Sequence, residues 1–227
     1  MIDVKNCWLK DNCKKYIDNK DCGDFCIKLF KLDSLYNNAL ISLPQRKHIN
    51  LRLDNDGTDR EEFLTLKQIE TNIEDFISKG NSLYIHSTIT GNGKTQWALR
   101  LVQSYFNKIW YKADLECKAL FIHVPRFLIS LKDAINKPSD YIDYIKDNIL
   151  KADIVIFDEL GTKVATPFEF ENLLSMINTR IDLGKSNVYT SNLTDEEFRE
   201  KLGDRLYSRV NNLAINIELK GQDKRGI

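Results

Sequence analysis

The 227-residue sequence carries no net charge, because 33 lysines and arginines face 33 aspartates and glutamates. That balance excludes a whole-molecule field drawing the chain to nucleic acid or membrane, so any such binding must come from a local patch. No apolar run approaches the length of a membrane span, and the opening MIDVKNCWLKDNCKK is too polar for a signal peptide. A cytoplasmic protein without membrane contacts is therefore expected. Internal repeats and low-complexity tracts are also missing. The chain is too short for two full-sized domains, yet long enough for one well-buried domain with a small appendage.

Cysteine is scarce over most of the chain and concentrated at one end. Four of the five, Cys7, Cys13, Cys22 and Cys26, fall among the first 26 residues, interleaved with lysines. Cytosolic thiols stay reduced, so such a cluster points to metal before it points to disulfides. The spacing C-x5-C-x8-C-x3-C supplies four thiolates for a tetrahedral Zn²⁺ site that could hold a segment too small for its own core. It is looser than paired C-x-x-C knuckles, so unlinked thiols remain the alternative. Cys117 stands alone and reads as structural. Residues 1–50 are assigned to this Cys-rich module and its linker, and residues 51–227 to the main domain.

A short helix is expected around Leu32 to Ile41, broken by Pro44. Thr58-Asp59-Arg60-Glu61 has the pattern of a capping box, and Leu66, Ile69, Ile73, Phe76 and Ile77 continue at helical spacing to a stop at Gly80. Beyond it, strand-like runs at Leu83 to His86, Ala119 to Val124, Ile154 to Phe157, Val188 to Ser191 and Leu213 to Glu218 alternate with amphipathic segments such as Trp97 to Trp110 and Phe168 to Leu183. Five strands separated by helices predict an α/β fold, a mostly parallel sheet with helices on both faces.

The loop STITGNGKT follows the first strand and precedes the first long amphipathic helix. It lacks one thing: Thr88 stands where the pattern G-x-x-x-x-G-K-[ST] has its first glycine. The remaining positions are those phosphate binding needs. Thr90, Gly91, Asn92 and Gly93 form the turn whose N–H groups can wrap a phosphate chain, Lys94 can reach the β and γ phosphates of ATP, and the Thr95 hydroxyl can ligate Mg²⁺. The missing glycine affects the exit from the strand more than the cradle. A second motif, KADIVIFDE, is a buried strand ending in two acids: Asp158 suits the Mg²⁺ shell and Glu159 suits polarising an attacking water. Two acids capping a surface strand would be the plain alternative.

Asn192, at the end of SNVYTSN, is placed to sense the γ-phosphate or the attacking water, although Asn and Ser also start turns. Arg205 and Arg209 lie one helical turn apart on one face, and Arg209 is the candidate for a guanidinium donated to a neighbouring subunit. Arg225 could reach a phosphate as well. His86 and His123 fall in strands, where a hydrogen-bonded core histidine is the simpler reading. Arg126, Phe127, Lys163 and Phe168 follow the second and third strands and offer cations and flat rings for single-stranded DNA, or else solvated charge and core aromatics.

Taken in order, STITGNGKT, IVIFDELGTK, YTSNL and GDRLYSRV, with a short final strand in place of a helical lid, resemble the AAA+ ATPases of the DnaC/DnaI helicase-loader group, particularly phage and prophage versions, over about residues 60 to 227. The resemblance implies that Lys94 and Thr95 are the Walker A residues, Asp158 and Glu159 the Walker B pair, Asn192 sensor 1, Arg209 the arginine finger and Arg225 the second sensor. It also implies an N-terminal segment that grips a hexameric replicative helicase, zinc in some members, and self-association in a ring or spiral around single-stranded DNA. The same branch contains the IstB-type transposition helpers. A nucleotide-binding adaptor without turnover is the alternative from a different class. A small-molecule kinase fits less well, since Asp158-Glu159 suits activating water.

Overall fold

In the computed structural model, residues 7–10, 13, 26–47, 49, 51 and 57–224 are described. In chain order the elements are α1 (Ile27–Asn38), α2 (Leu43–Lys47), α3 (Arg60–Thr71), α4 (Ile73–Ser78), β1 (Leu83–His86), α5 (Lys94–Ile109), β2 (Ala119–His123), α6 (Val124–Asp133), α7 (Asp140–Asn148), β3 (Ile154–Asp158), α8 (Pro167–Asp182), β4 (Ser186–Ser191), α9 (Asp195–Asn211) and β5 (Ile215–Glu218). The five strands form one sheet in the order β2-β3-β4-β1-β5, and every neighbouring pair is parallel. Parallel sheets need both faces covered, which is why β1, β2 and β3 read as continuous apolar runs.

Alternation along the strands divides the core in two. Leu83, Ile85, Ile154, Ile156, Val188 and Ile217 face one side, packing with α1, α3, α4 and α5. Tyr84, Leu120, Ile122, Val155, Phe157 and Tyr189 face the other, packing with α6, α7, α8 and α9. The register pairs Phe157 with Tyr189, His123 with Asp158 and His86 with Ser191, so the carboxyl ends of the strands line up along one edge. In open parallel sheets that edge is where ligands bind. Among the described residues, no helix is long and apolar enough to cross a membrane.

Several local expectations change. The helix expected from Leu32 begins at Ile27, where the Cys26 thiol accepts the Leu29 N–H at 3.4 Å. Pro44 stands in the first turn of α2, a position that tolerates its missing N–H, so it opens that helix; α1 has already ended at Asn38, short of the expected Ile41. The capping box at Thr58 does not form. The N-cap of α3 is Asp59, held at a left-handed φ of 61° without a side-chain cap bond, and the helical stretch to Gly80 breaks at Asn72. Two boxes form where none was expected, Thr166 with Glu169 at α8 and Thr194 with Glu197 at α9.

Candidate nucleotide site

The loop between β1 and α5 makes its turn with two left-handed glycines, Gly91 at φ 75° and Gly93 at φ 107°. A side chain strains that backbone, which explains glycine at these two places. Among the described residues the non-glycine positions with positive φ are Leu40, Asp59 and Glu159; Thr88 is not one of them. The strand exit thus makes no demand that only glycine could meet. The Ser87 hydroxyl accepts the Ile89 N–H at 3.0 Å and the Asn92 amide at 2.7 Å, so side chains brace the start of the loop.

Lys94 is buried, and its ammonium donates to the Ile89 carbonyl at 2.7 Å, to Asn92 Oδ1 at 3.1 Å and to the Ser87 carbonyl at 3.3 Å. These are neutral acceptors for a full charge, and phosphate oxygens would be stronger ones. The helix N-terminus beside it adds unsatisfied N–H groups. Asn92 does more than shape the loop. In the structure its amide also donates to the Leu219 carbonyl at 3.1 Å, and the Lys224 N–H donates to the Gly91 carbonyl at 3.0 Å. The segment after β5 therefore crosses the loop. Asp59 fixes it further, its two carboxylate oxygens accepting the Lys220 and Gly221 N–H groups at 2.7 Å each, which is where the missing cap went.

β4 stands between β1 and β3, and α5 brings Thr95 across to β3. The Thr95 hydroxyl donates to Asp158 Oδ1 at 2.7 Å, and the Thr190 hydroxyl donates to the same oxygen at 2.8 Å. Burial pushes the Asp158 carboxyl above the usual carboxylate range, against the two hydroxyl bonds that lower it. A buried carboxylate whose bonds come from two hydroxyls fits a hard divalent ion beside it. The expected pair of Mg²⁺ ligands, Thr95 and Asp158, is thus brought together.

Thr190 itself was not anticipated. It also accepts the Glu159 N–H at 3.0 Å, while its carbonyl accepts the Leu160 N–H at 2.8 Å. Those bonds hold Glu159 at a left-handed φ of 57°, turning its carboxylate off the strand. His123 approaches Glu159 Oε2 through Nε2 at 3.2 Å. Its Nδ1 accepts the Arg126 N–H at 3.4 Å, which assigns the ring proton to Nε2 and makes it the donor to Glu159. His123 is thus not a core histidine; its side chain is 39% exposed. His86 does bond within the fold, to Asn216 Oδ1 at 2.7 Å, and stacks on Tyr84.

Raised by burial, the Asp158 pKa has a definite consequence for stability. Its charged form costs the ligand-free protein stability, a cost absent at acid pH that grows as pH rises through the raised pKa. Asp158→Asn keeps an oxygen for both hydroxyls and removes the charge. At neutral pH this variant should melt a few degrees higher than the parent without ligand, on the scale of about 2–4 °C per kcal/mol. If Asp158 helps to hold Mg²⁺ and ATP, both together should raise the melting temperature of the parent and not that of this variant, which differential scanning calorimetry with and without both will show.

Asn192 directly follows β4 and is half-buried at the same edge. Arg209 is elsewhere: it is exposed on α9, its Nε donating to Asn178 Oδ1 on α8 at 2.9 Å, with Arg205 3.7 Å from Glu171. The two arginines border a depression between α8 and α9. Arg225 lies outside the described residues.

With strand order, loop, paired acids and polar strand end in place, comparison with solved structures decides the fold. The DnaC helicase loader superposes with a TM-score of 0.61 at 17% identity, covering 76% of this chain and 95% of that one. The chain has the AAA+ fold. The DnaI structure gives 0.58 at 19% identity, covering 81% and 93%, and a putative primosome component from Streptococcus pyogenes serotype M3 gives 0.58 at 22%, covering 80% and 91%. A replication initiator DnaA bound to AMPPCP and single-stranded DNA gives 0.57 at 17% identity, covering 75% of this chain and 51% of that one. No protein-family model matches the chain, and no curated protein sequence does. Among the described residues no helix follows β5.

The zinc expectation finds no support among the described residues, where no group of three or more His, Cys, Asp or Glu is placed to hold a metal. Cys22 lies outside them. The DNA-path candidates also change. Phe127 is fully buried in the core, and the Lys163 ammonium is paired with the buried Glu169 at 2.5 Å, so neither is free to meet a nucleic acid. Arg126, over the Tyr141 ring at 5.0 Å, and Phe168, 48% exposed, stay at the surface.

Proposed function

We propose that the chain is an AAA+ ATPase that loads a hexameric replicative helicase onto single-stranded DNA. The observation that carries the ATPase part is the junction of Thr95, Asp158 and Thr190, with Glu159 turned out beside it. The residues suited to ATP and Mg²⁺ are the loop from Thr90 to Gly93 with Lys94 for the phosphates, and Thr95 and Asp158 for the metal. Bound Mg²⁺ would supply charge neutralisation at the phosphates. Glu159 accepts a proton from water, His123 holds its carboxylate in place, and Asn192 orients the water. The loader part rests on the likeness to DnaC and DnaI, with residues 1–50 as the helicase-binding module, residues 51–227 as the ATPase domain, and a cytoplasmic site of action.

Arg209 is turned away from its own P-loop edge and exposed, as a finger serving a neighbouring subunit must be. Arg209→Ala should lower turnover about 10³-fold. Mixing it with Lys94→Ala, itself inactive, should restore part of the activity, because some interfaces then combine an intact loop with an intact finger. Failure of the mixture to recover would place Arg209 outside the site.

The loader reading is tested by mixing the protein with the host's replicative helicase and ATP, then measuring mass by size-exclusion with light scattering. A defined complex that is lost on deleting residues 1–50 supports it. Absence of a complex at micromolar concentrations, with preference for duplex over single-stranded DNA, would favour a transposition helper.

A further inference from the structure

A second basic concavity lies on the α1, α2 and α5 side of the molecule, away from the strand ends. Its volume is about 440 Å³, and Lys28, Arg46, Lys47 and Arg100 line it together with Trp8 and Tyr36. Among the described residues no aspartate or glutamate is in the lining. Arg100 shares one stripe of α5 with Gln103 and Asn107, which add amide groups to the same wall. Six residues separate Arg100 from Lys94, about 9 Å along the helix, so the cavity is distinct from the phosphate loop.

The cations differ in how they are held. Arg46 is 6% exposed and rigidly placed: Nη1 donates to Asp33 at 2.9 Å, and Nη2 to Asn37 Oδ1 at 2.7 Å and to the Ile41 carbonyl at 2.9 Å. Its Nε, shielded from solvent, has no hydrogen-bond partner among the described residues, and its guanidinium lies over the Tyr36 ring at 5.0 Å and the Trp8 ring at 5.9 Å. Burial lowers its pKa, the mark of a charge not fully compensated by Asp33. Arg100 is paired with Glu70 at 2.7 Å. Among the described residues neither Lys28 nor Lys47 has a carboxylate partner; Lys28 lies 5.7 Å from the Trp110 ring centre instead.

Fixing a buried guanidinium costs desolvation, and gathering two further ammonium groups around it adds repulsion. Hydrophobic residues of similar size would join α1 to α2 without either cost. We propose that this cavity is a binding site for a small phosphate-bearing anion, separate from the ATP site. Its volume falls in the range of small-ligand pockets, and a fixed guanidinium beside ammonium groups is the donor set that phosphate takes. Nucleic acid backbone carries the same chemistry, but a concavity with a nine-tenths buried arginine in its wall suits a compact ligand better than an extended strand.

The test uses the full-length chain carrying Lys94→Ala, which silences the phosphate loop, and inorganic pyrophosphate as the probe in isothermal titration calorimetry at low salt. One equivalent should bind, citrate should bind at least tenfold more weakly, and adding Lys47→Glu or Lys28→Glu should weaken pyrophosphate binding by about tenfold or more. Neither lysine is buried, and circular dichroism melts will confirm that both variants fold. Absence of pyrophosphate binding in the Lys94→Ala chain overturns the proposal, as does binding that both charge reversals leave unchanged. Binding of a single-stranded oligonucleotide without pyrophosphate, lost with Lys47→Glu, also overturns it and assigns the cavity to nucleic acid.

Discussion

A Glu159→Gln variant should bind ATP as tightly as the parent while its turnover falls about 10²- to 10⁴-fold, the usual contribution of a positioned general base. The substitution is nearly isosteric. The amide that replaces the carboxylate keeps an oxygen for the His123 Nε2–H, and the backbone bond from residue 159 to the Thr190 hydroxyl involves no side-chain atom of Glu159. The loop, the lysine and the Asp158 junction are untouched. Binding and chemistry should therefore separate, unlike in Asp158→Asn, which loses the proposed metal ligand and should lose the response to Mg²⁺ with it. Phosphate release and equilibrium nucleotide binding, measured on the same preparation, check this. Turnover within a factor of a few of the parent would remove Glu159 from the role of base and leave the adaptor reading stronger. His123→Ala should have a smaller effect, because it frees the carboxylate without removing it.

The phosphate loop and the acidic strand end were legible in the sequence because each is a short contiguous motif whose chemistry depends on backbone turns and residue types close together. The strands were legible for a related reason: a sheet covered on both faces leaves runs such as IVIF that no surface element would carry. What escaped was whatever depends on residues distant in sequence. Thr190 looked like an ordinary strand residue, and its value comes from β4 lying between β1 and β3, a topological fact. His123 acts on Glu159 because the register sets it beside Asp158. The capping boxes show how a local pattern can mislead. Thr58 has the right residue three positions on, but Asp59 is drawn to the segment after β5, and its left-handed backbone becomes the cap instead. Thr166 and Thr194 have no such competitor and form the box their sequences permit.

Arg180 is the largest thing the sequence concealed, and its removal should produce the largest loss of stability. It lies in the last turn of α8, where a cation is commonly solvated, yet it is fully buried. Its Nε donates to Asn187 Oδ1 at 2.7 Å, one terminal nitrogen to the carbonyls of Ala152 at 2.9 Å and Ile149, and the other to the Ser186 carbonyl at 2.6 Å. The guanidinium therefore ties together the end of α7, the start of β3 and the start of β4. No carboxylate is among these partners, and burial lowers its pKa to about 10, still far above neutral, so it stays charged. Arg180→Met fills a similar volume but takes the donor away from three backbone carbonyls and from Asn187 Oδ1 in a dry interior. The expected cost is about 3–5 kcal/mol, a lowering of Tm by about 10 °C. Arg180→Lys should recover little of it, because one ammonium cannot serve acceptors spread around a planar fork. Urea unfolding of the three proteins measures both effects. Since these contacts lie at the amino ends of the strands, opposite the proposed nucleotide site, whatever folded Arg180→Met protein remains should bind nucleotide as the parent does. Near-parental stability of Arg180→Met would mean that α7, β3 and β4 are held together by the apolar core alone.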